Sequence, residues 1–160
     1  MRGTPTVTRI SAQSMCVHVR SAPVPNDRNA PRLFSLDDAN AILPDLLPLV
    51  ATMREDAAAL RELQEPLREL AERATLAGGI RPTNAERDAH LSACRHEQSL
   101  ERVLEELAEL GVRIKDPERG LLDFPSVRDG ELVELCWIYG EDHVAFWHRL
   151  DEGFAGRQPI

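Results

Sequence analysis

The sequence predicts an α+β fold in which a long antiparallel helical hairpin, partly a coiled coil, precedes a small antiparallel β-meander. Apolar residues recur at spacings of three and four between residues 46 and 110, as in two amphipathic helices. Beyond Gly111 the pattern changes to short apolar segments that turn residues separate, as in strands. Six of the seven aromatic residues fall in this last third, so the bulky side chains should pack in the sheet.

Residues 1–31 differ in composition from the rest of the chain. They carry four arginines against one acid, contain four prolines and show no helical periodicity. We therefore expect a disordered tail ahead of a single domain over residues 32–160. An arginine-rich, acid-poor start also resembles an organelle transit peptide, and Met15 offers a second start, so that residues 1–14 need not be translated.

Charge and cysteine content exclude several classes of function. The net charge is −8, and because residues 1–31 contribute +3, the predicted domain carries −11. Such a surface repels nucleic acid, which proteins bind through clustered cations. No apolar run approaches the ~20 residues that span a bilayer, and three cysteines without a CxxC spacing indicate reduced thiols. We expect a cytoplasmic protein that binds neither nucleic acid nor a membrane.

The first helix is expected to begin at Ser35, whose hydroxyl can cap the first turn, with Asp37 and Asp38 at the positive end of the helix dipole. Pro44 and Pro48 each remove a backbone donor, which predicts a separate short helix or a kink before the main rod. One apolar stripe follows, and Gly78–Gly79 should end the helix. The stripe consists of Leu46, Val50, Met53, Ala57, Leu60, Leu63, Leu67, Leu70 and Ala74.

The second helix should start at Thr83 or Asn84 and end at Leu110, with Gly111 as the residue that terminates it. Three strands are expected over residues 121–124, 132–139 and 143–148, with a shorter candidate at 112–115. Turns should lie at residues 125–130, which include Asp129–Gly130, and at Gly140–Glu141.

Polar side chains that can hold a divalent metal or a small ligand gather among the C-terminal aromatics. His148 and Asp151 have an HxxD spacing, Glu141 comes near through the hairpin, and Asp123 on a neighbouring strand completes a candidate metal set. The candidate ligand-binding residues are Arg128, Trp137, Cys136 and Arg157. In the alternative interpretation the arginines pair with the acids to close the sheet, His148 is a structural link, and Cys136 is a small core residue.

A second candidate cluster lies in the second helix and consists of Glu86, His90 and Glu97. Counting back from Leu107, Leu104 and Leu100 places these residues on the apolar face, where Glu86 and His90 could ligate a metal with Asp38 or Asn40 from the first helix. Alternatively the stripe rotates onto Leu91 and Cys94 and leaves His90 and Glu97 in solvent.

Three stretches resemble an uncharacterised bacterial family, domain of unknown function 2203, some of whose members are labelled DivIVA-like cell-division proteins. The stretches are F-S-L-D-D-A-N-A-I-L-P at 34–44, G-V-R-I-K-D at 111–116 and the tail from Leu121 to Ile160. The resemblance implies a helical hairpin with a β appendage and no established reaction. Family members usually have glutamate where this chain has Asp38, one methylene shorter.

Two functions follow from these patterns, and the first leaves open whether the protein is an enzyme. The first is a metal- or small-ligand-binding protein with its site on the C-terminal sheet. The second is a coiled-coil scaffold whose helical hairpin docks a protein partner. No nucleophilic triad and no glycine-rich phosphate loop is present in the sequence.

Each helix of a hairpin buries one apolar stripe, so a second copy of the chain should cover the remaining apolar surface. We therefore predict a homodimer. Light scattering of the purified full chain at micromolar concentration should return twice the monomer mass, and a monomer mass would contradict the prediction.

Overall fold

The computed structural model describes residues 32–76 and 82–160. The predicted tail at residues 1–31 and the helix end at Gly78–Gly79 lie outside the described residues. The predicted α+β fold is confirmed: two helices precede one antiparallel sheet with the strand order β1-β2-β3-β4-β5 of a meander. The elements are α1 Leu36–Leu76, α2 Asn84–Glu109, β1 Arg113–Asp116, β2 Leu121–Arg128, β3 Glu131–Ile138, β4 Phe146–Arg149, a 3-10 turn Phe154–Gly156 and β5 Gln158–Pro159.

Helix α1 runs unbroken through its prolines, so the predicted separate short helix is wrong. The Ser35 hydroxyl accepts a hydrogen bond from the Asp38 N–H at 3.1 Å, and the Asp38 carboxylate accepts one from the Ser35 N–H. Side chains on both sides of Pro44 and Pro48, among them Ala39 and Val50, are fully buried. This packing outweighs the backbone bonds that the two prolines remove.

Both helices pack on one face of the sheet. The core joins Leu46, Val50 and Met53 of α1 with Leu107 of α2. The sheet contributes Leu122, Phe124, Leu135 and Trp137 to the same core. Farther along α1 the stripe is only half-buried, and the homodimer that would cover it stays a prediction. Within residues 32–76 and 82–160 no helix has a stretch long and apolar enough to cross a bilayer.

The caps of α2 match the sequence pattern. The Thr83 hydroxyl accepts from the Glu86 N–H while the Glu86 carboxylate accepts from the Thr83 N–H, which makes a capping box. At the other end Gly111 adopts a φ of +84°, and Val112 N–H bonds back to the Leu107 carbonyl.

Strand β2 is longer than predicted, because it continues through Pro125 to Arg128. The Pro125 carbonyl accepts a hydrogen bond from the Phe34 N–H at 2.7 Å, which lies on the side away from β3. In an extended strand the N–H and C=O of one residue point the same way. An N–H at position 125 would therefore also point away from β3, so the proline removes no hydrogen bond between β2 and β3. The turn shrinks to Asp129–Gly130, whose φ values of +52° and +81° suit a two-residue hairpin.

Gly120 offers a test of the contact between the sheet and α1. Its φ is +67°, and an added Cβ would come within 2.9 Å of Val50 and 2.8 Å of Tyr139. Gly130 has a φ of +81°, but nothing lies within 4 Å of such a Cβ. Gly130→Ala should cost about 1–2 kcal/mol of unfolding free energy for its backbone conformation. Gly120→Ala should cost roughly 1–3 kcal/mol more, because the core must also shift.

Urea unfolding of the two variants beside the wild-type chain measures both costs. Equal losses of unfolding free energy in the two variants would show that the β1–β2 turn is not packed tightly against Val50.

Candidate metal centre

A set of polar side chains lies on the outer face of the sheet, opposite the helices. Leu122 and Phe124 of β2 point into the helix-facing core, so Asp123 between them points outward. Asp123 pairs with Cys136 across β2 and β3, and Glu134 pairs with His148 across β3 and β4. Directly opposed residues share a face, so these four side chains converge on the outer face.

The four side chains are buried although they face away from the helices. Cys136 is fully buried, and the other three expose only 1% of their surface. The ligand atoms of Asp123, Cys136 and His148 all lie within 4.8 Å of one another. Oδ1 of Asp123 has no hydrogen-bond partner, which is costly for a buried carboxylate oxygen.

The imidazole of His148 is oriented by the backbone. Its Nδ1 lies 2.8 Å from the Arg149 carbonyl oxygen, which can only accept, so Nδ1 carries a hydrogen. Its Nε2 lies 3.1 Å from Oδ2 of Asp123 and 3.9 Å from Oε2 of Glu134. Nε2 is therefore the ring nitrogen that faces the cluster.

Two cations from the edge strand β1 balance the two carboxylates. Nη1 of Arg113 lies 2.6 Å from Oε1 of Glu134. Nζ of Lys115 lies 2.9 Å from Oε2 of Glu134 and 3.5 Å from Oδ2 of Asp123. Both long side chains stay about 40% exposed, so their stems connect the buried carboxylates to solvent.

The two carboxyl groups have opposite pKa shifts. Burial raises the pKa of Asp123, and the neighbouring Glu134 carboxylate raises it further. Burial also acts to raise the pKa of Glu134, but its contacts, first with Lys115, outweigh burial and hold that pKa below its usual value.

The Cys136 thiol is not an activated nucleophile. Burial raises the pKa of this thiol far above its ordinary value, and the Asp123 carboxylate adds to the shift. A reactive cysteine needs the opposite environment, with a lowered pKa and access to solvent. As long as nothing else neutralises the thiolate, Cys136 remains a protonated side chain.

Three of the predicted C-terminal residues meet in this cluster, namely Asp123, Cys136 and His148. Asp151 does not join the cluster. His148 lies in the extended strand β4, so the HxxD spacing does not bring the two side chains together, and Asp151 is exposed. Glu141 lies in the turn after β3, where it binds Arg157 at 2.8 Å. That expected salt bridge is therefore present.

Trp137 and Arg128 belong to the helix-facing side of the sheet rather than to the cluster. Trp137 is buried in the core and donates its indole N–H to the Glu141 carbonyl. The Arg128 guanidinium lies 4.8 Å above the ring of Trp147. Arg157 stacks on Phe146 at 4.2 Å and so closes the edge of the sheet.

The predicted cluster on the second helix does not assemble. Glu86 caps α2, while His90 and Glu97 are exposed. The seam passes through the buried Ala93 and not through Leu91, which is 57% exposed. His90 and Glu97 nevertheless lie in solvent, as the alternative interpretation expected.

The first-helix residues proposed for a shared site have other roles. Asp38 caps α1 with Ser35, and Oδ1 of Asn40 accepts from the Val144 N–H. The helices and His148 lie on opposite faces of the sheet, so the two predicted clusters do not form one site.

The sequence analysis missed Glu134, Arg113 and Lys115. Glu134 stands two residues before Cys136 in a predicted strand, so strict alternation would have placed both on one face. The cations could not be found in this way, since their strand pairs with β2 through an irregular register. A contact between the helices was also missed, in which Nδ1 of His96 lies 2.7 Å from Oδ1 of the buried Asp56.

A family model described as an uncharacterized conserved protein (DUF2203) matches residues 32–160, so the chain belongs to this family. That description carries no DivIVA-like cell-division label. No curated protein and no solved structure matches the chain.

Cys136 should resist alkylation in the folded protein, because it is fully buried and its pKa is raised. At pH 8.5, where an ordinary thiol is about half ionised, iodoacetamide should leave Cys136 unmodified in the native chain. It should modify Cys136 fully in urea. Mass spectrometry of the Cys136 peptide measures both states, and rapid labelling of the native chain would contradict the burial.

Proposed function

We propose that this member of the uncharacterized family binds a transition-metal ion of the zinc type through Asp123, Cys136 and His148. One observation carries the proposal: a carboxylate, a thiol and an imidazole present their ligand atoms within 4.8 Å of one another in a buried place. The unpartnered Oδ1 of Asp123 supports it, since a bound ion satisfies an acceptor that otherwise has no partner.

The orientation of His148 supports the same function. A histidine that binds a metal through one nitrogen commonly donates its other N–H to a carbonyl or carboxylate, which fixes the ring and its tautomer. Here Nδ1 donates to the Arg149 carbonyl and leaves Nε2 for the ion.

The donor set selects the class of ion. Magnesium and calcium prefer oxygen ligands alone, whereas a thiolate with an imidazole suits zinc and similar borderline ions. Binding would convert the Cys136 thiol to a thiolate and release its proton, because only the thiolate is a strong ligand. The positive charge of the ion offsets the burial that otherwise keeps this thiol protonated.

The three ligands come from three consecutive strands, β2, β3 and β4. A bound ion would therefore tie the centre of the sheet together, and its binding free energy would add to the free energy of unfolding. The proposed function is thus a metal-stabilised domain.

Calorimetric titration of the chelator-treated full chain with Zn(II) tests the proposal. The wild type should bind one equivalent, and the ion should raise its melting temperature. Cys136→Ser and Asp123→Asn should each weaken binding by about tenfold or more, since each removes a ligand and changes little volume.

His143→Ala and Asp151→Asn are matched controls. Both residues are exposed and have the same side-chain types as two proposed ligands. They should bind Zn(II) as the wild type does. A wild-type chain that takes up no Zn(II), or ligand variants that bind as tightly as the controls, would refute the function.

A further inference from the structure

The Lys115 ammonium occupies a position that suits a divalent ion. It lies between Oε2 of Glu134 at 2.9 Å and Oδ2 of Asp123 at 3.5 Å, and it is the only lysine in the chain. Nε2 of His148 faces the same two oxygens, at 3.1 Å from Asp123 and 3.9 Å from Glu134. One positive group thus already bridges the two acids beside the predicted ligand nitrogen.

We propose that an incoming ion displaces Lys115 from Glu134, and that Oε2 of Glu134 then becomes the fourth ligand of a closed site. This inference rests on the function proposed above and adds its regulation: Lys115 is a built-in competitor for the ion.

The side chains on either side of the contact suit this exchange. Oε2 of Glu134 meets Lys115 as an ion pair without accepting a hydrogen bond of regular geometry. Lys115 is a flexible, partly exposed side chain on the edge strand, so it can turn into solvent. Arg113 holds the other oxygen, Oε1, at 2.6 Å and would keep the carboxylate in place after Lys115 has left.

The exchange leaves the cluster without a net charge. Before binding, Arg113, Lys115 and the hydrogen shared by Nε2 of His148 and Oδ2 of Asp123 face the two carboxylates. One divalent ion enters, while the ammonium of Lys115, the shared hydrogen and the proton of Cys136 leave for solvent. The ion and Arg113 then balance Asp123, Glu134 and the Cys136 thiolate, so the buried cluster carries no net charge, which would be costly.

Four protein ligands imply a structural rather than a hydrolytic centre. A catalytic zinc site keeps one position open for water, whereas a structural site fills all four with side chains. The burial of all four side chains agrees with a filled shell.

Zn(II) affinity and the Co(II) absorption spectrum of the full chain test the inference, using Lys115→Met and Glu134→Gln. Lys115→Met removes the competing charge and should tighten Zn(II) binding by about tenfold. Lys115→Arg keeps the charge and should not tighten it. Glu134→Gln should weaken binding by about tenfold and reduce the visible Co(II) bands of a four-coordinate site, while the thiolate-to-cobalt band persists.

Glu131→Gln is the matched control, because Glu131 is exposed on the same strand as Glu134, and it should leave binding unchanged. If the wild type binds neither ion, the proposed function fails. If the wild type binds but Lys115→Met does not tighten binding, or Glu134→Gln weakens nothing, this inference alone is overturned. Circular dichroism checks the fold of each variant, and the Lys115→Met result decides even if Glu134→Gln does not fold.

Discussion

The structure depends on how the buried acids of the outer face are neutralised. Asp123 and Glu134 point away from the helices, yet neither is open to solvent. A buried carboxylate without a partner destabilises a fold by several kcal/mol, so the two strands that carry these acids need cations close to them. Arg113 and Lys115 of the edge strand β1 supply them. The sheet therefore has a buried region on each face: an apolar core under the helices and an ionic cluster on the outer face.

The end of the chain lies beside the ionic cluster, on the outer face of the sheet. Phe154 lies in the connection between β4 and β5, yet Arg119 of the β1–β2 turn stacks on its ring at 4.5 Å. Arg157 stacks on the same ring and also bonds to Glu141, and the Ile160 N–H bonds to the Ala145 carbonyl. Arg157 also stacks on Phe146, which pairs with Cys136 and so shares the outer face with it; this places the connection on that face. Polar and stacking contacts replace a second apolar layer here, which fits a surface that must cover charges.

Local patterns predicted the helices better than the sheet. Ser35, Thr83 and Gly111 act within one turn of their own position, so their chemistry can be read from sequence neighbours. Pro44 misled the prediction, because the packing that keeps α1 continuous comes from distant strands. The site was likewise predictable only in part. The sequence shows that residues 123, 136 and 148 can ligate a metal, but the register of the strands decides which side chains meet. The HxxD spacing brought Asp151 into the candidate set, but Asp151 lies outside the cluster, whereas strict alternation along β3 would have pointed to Glu134.

The two faces of the sheet have different roles: the helix-facing side packs the core, and the outer side carries the polar cluster. On the helix side, Leu122 and Trp137 alternate with Asp123 and Cys136 along the same strands, so core packing fixes the backbone that carries the cluster. A ligand set on rigid strands is held in place more closely than one on loops. The raised pKa of Cys136 and the closed surroundings argue against a nucleophile that meets a substrate. The same features suit an ion that stays bound, because a metal neutralises the thiolate where no solvent can.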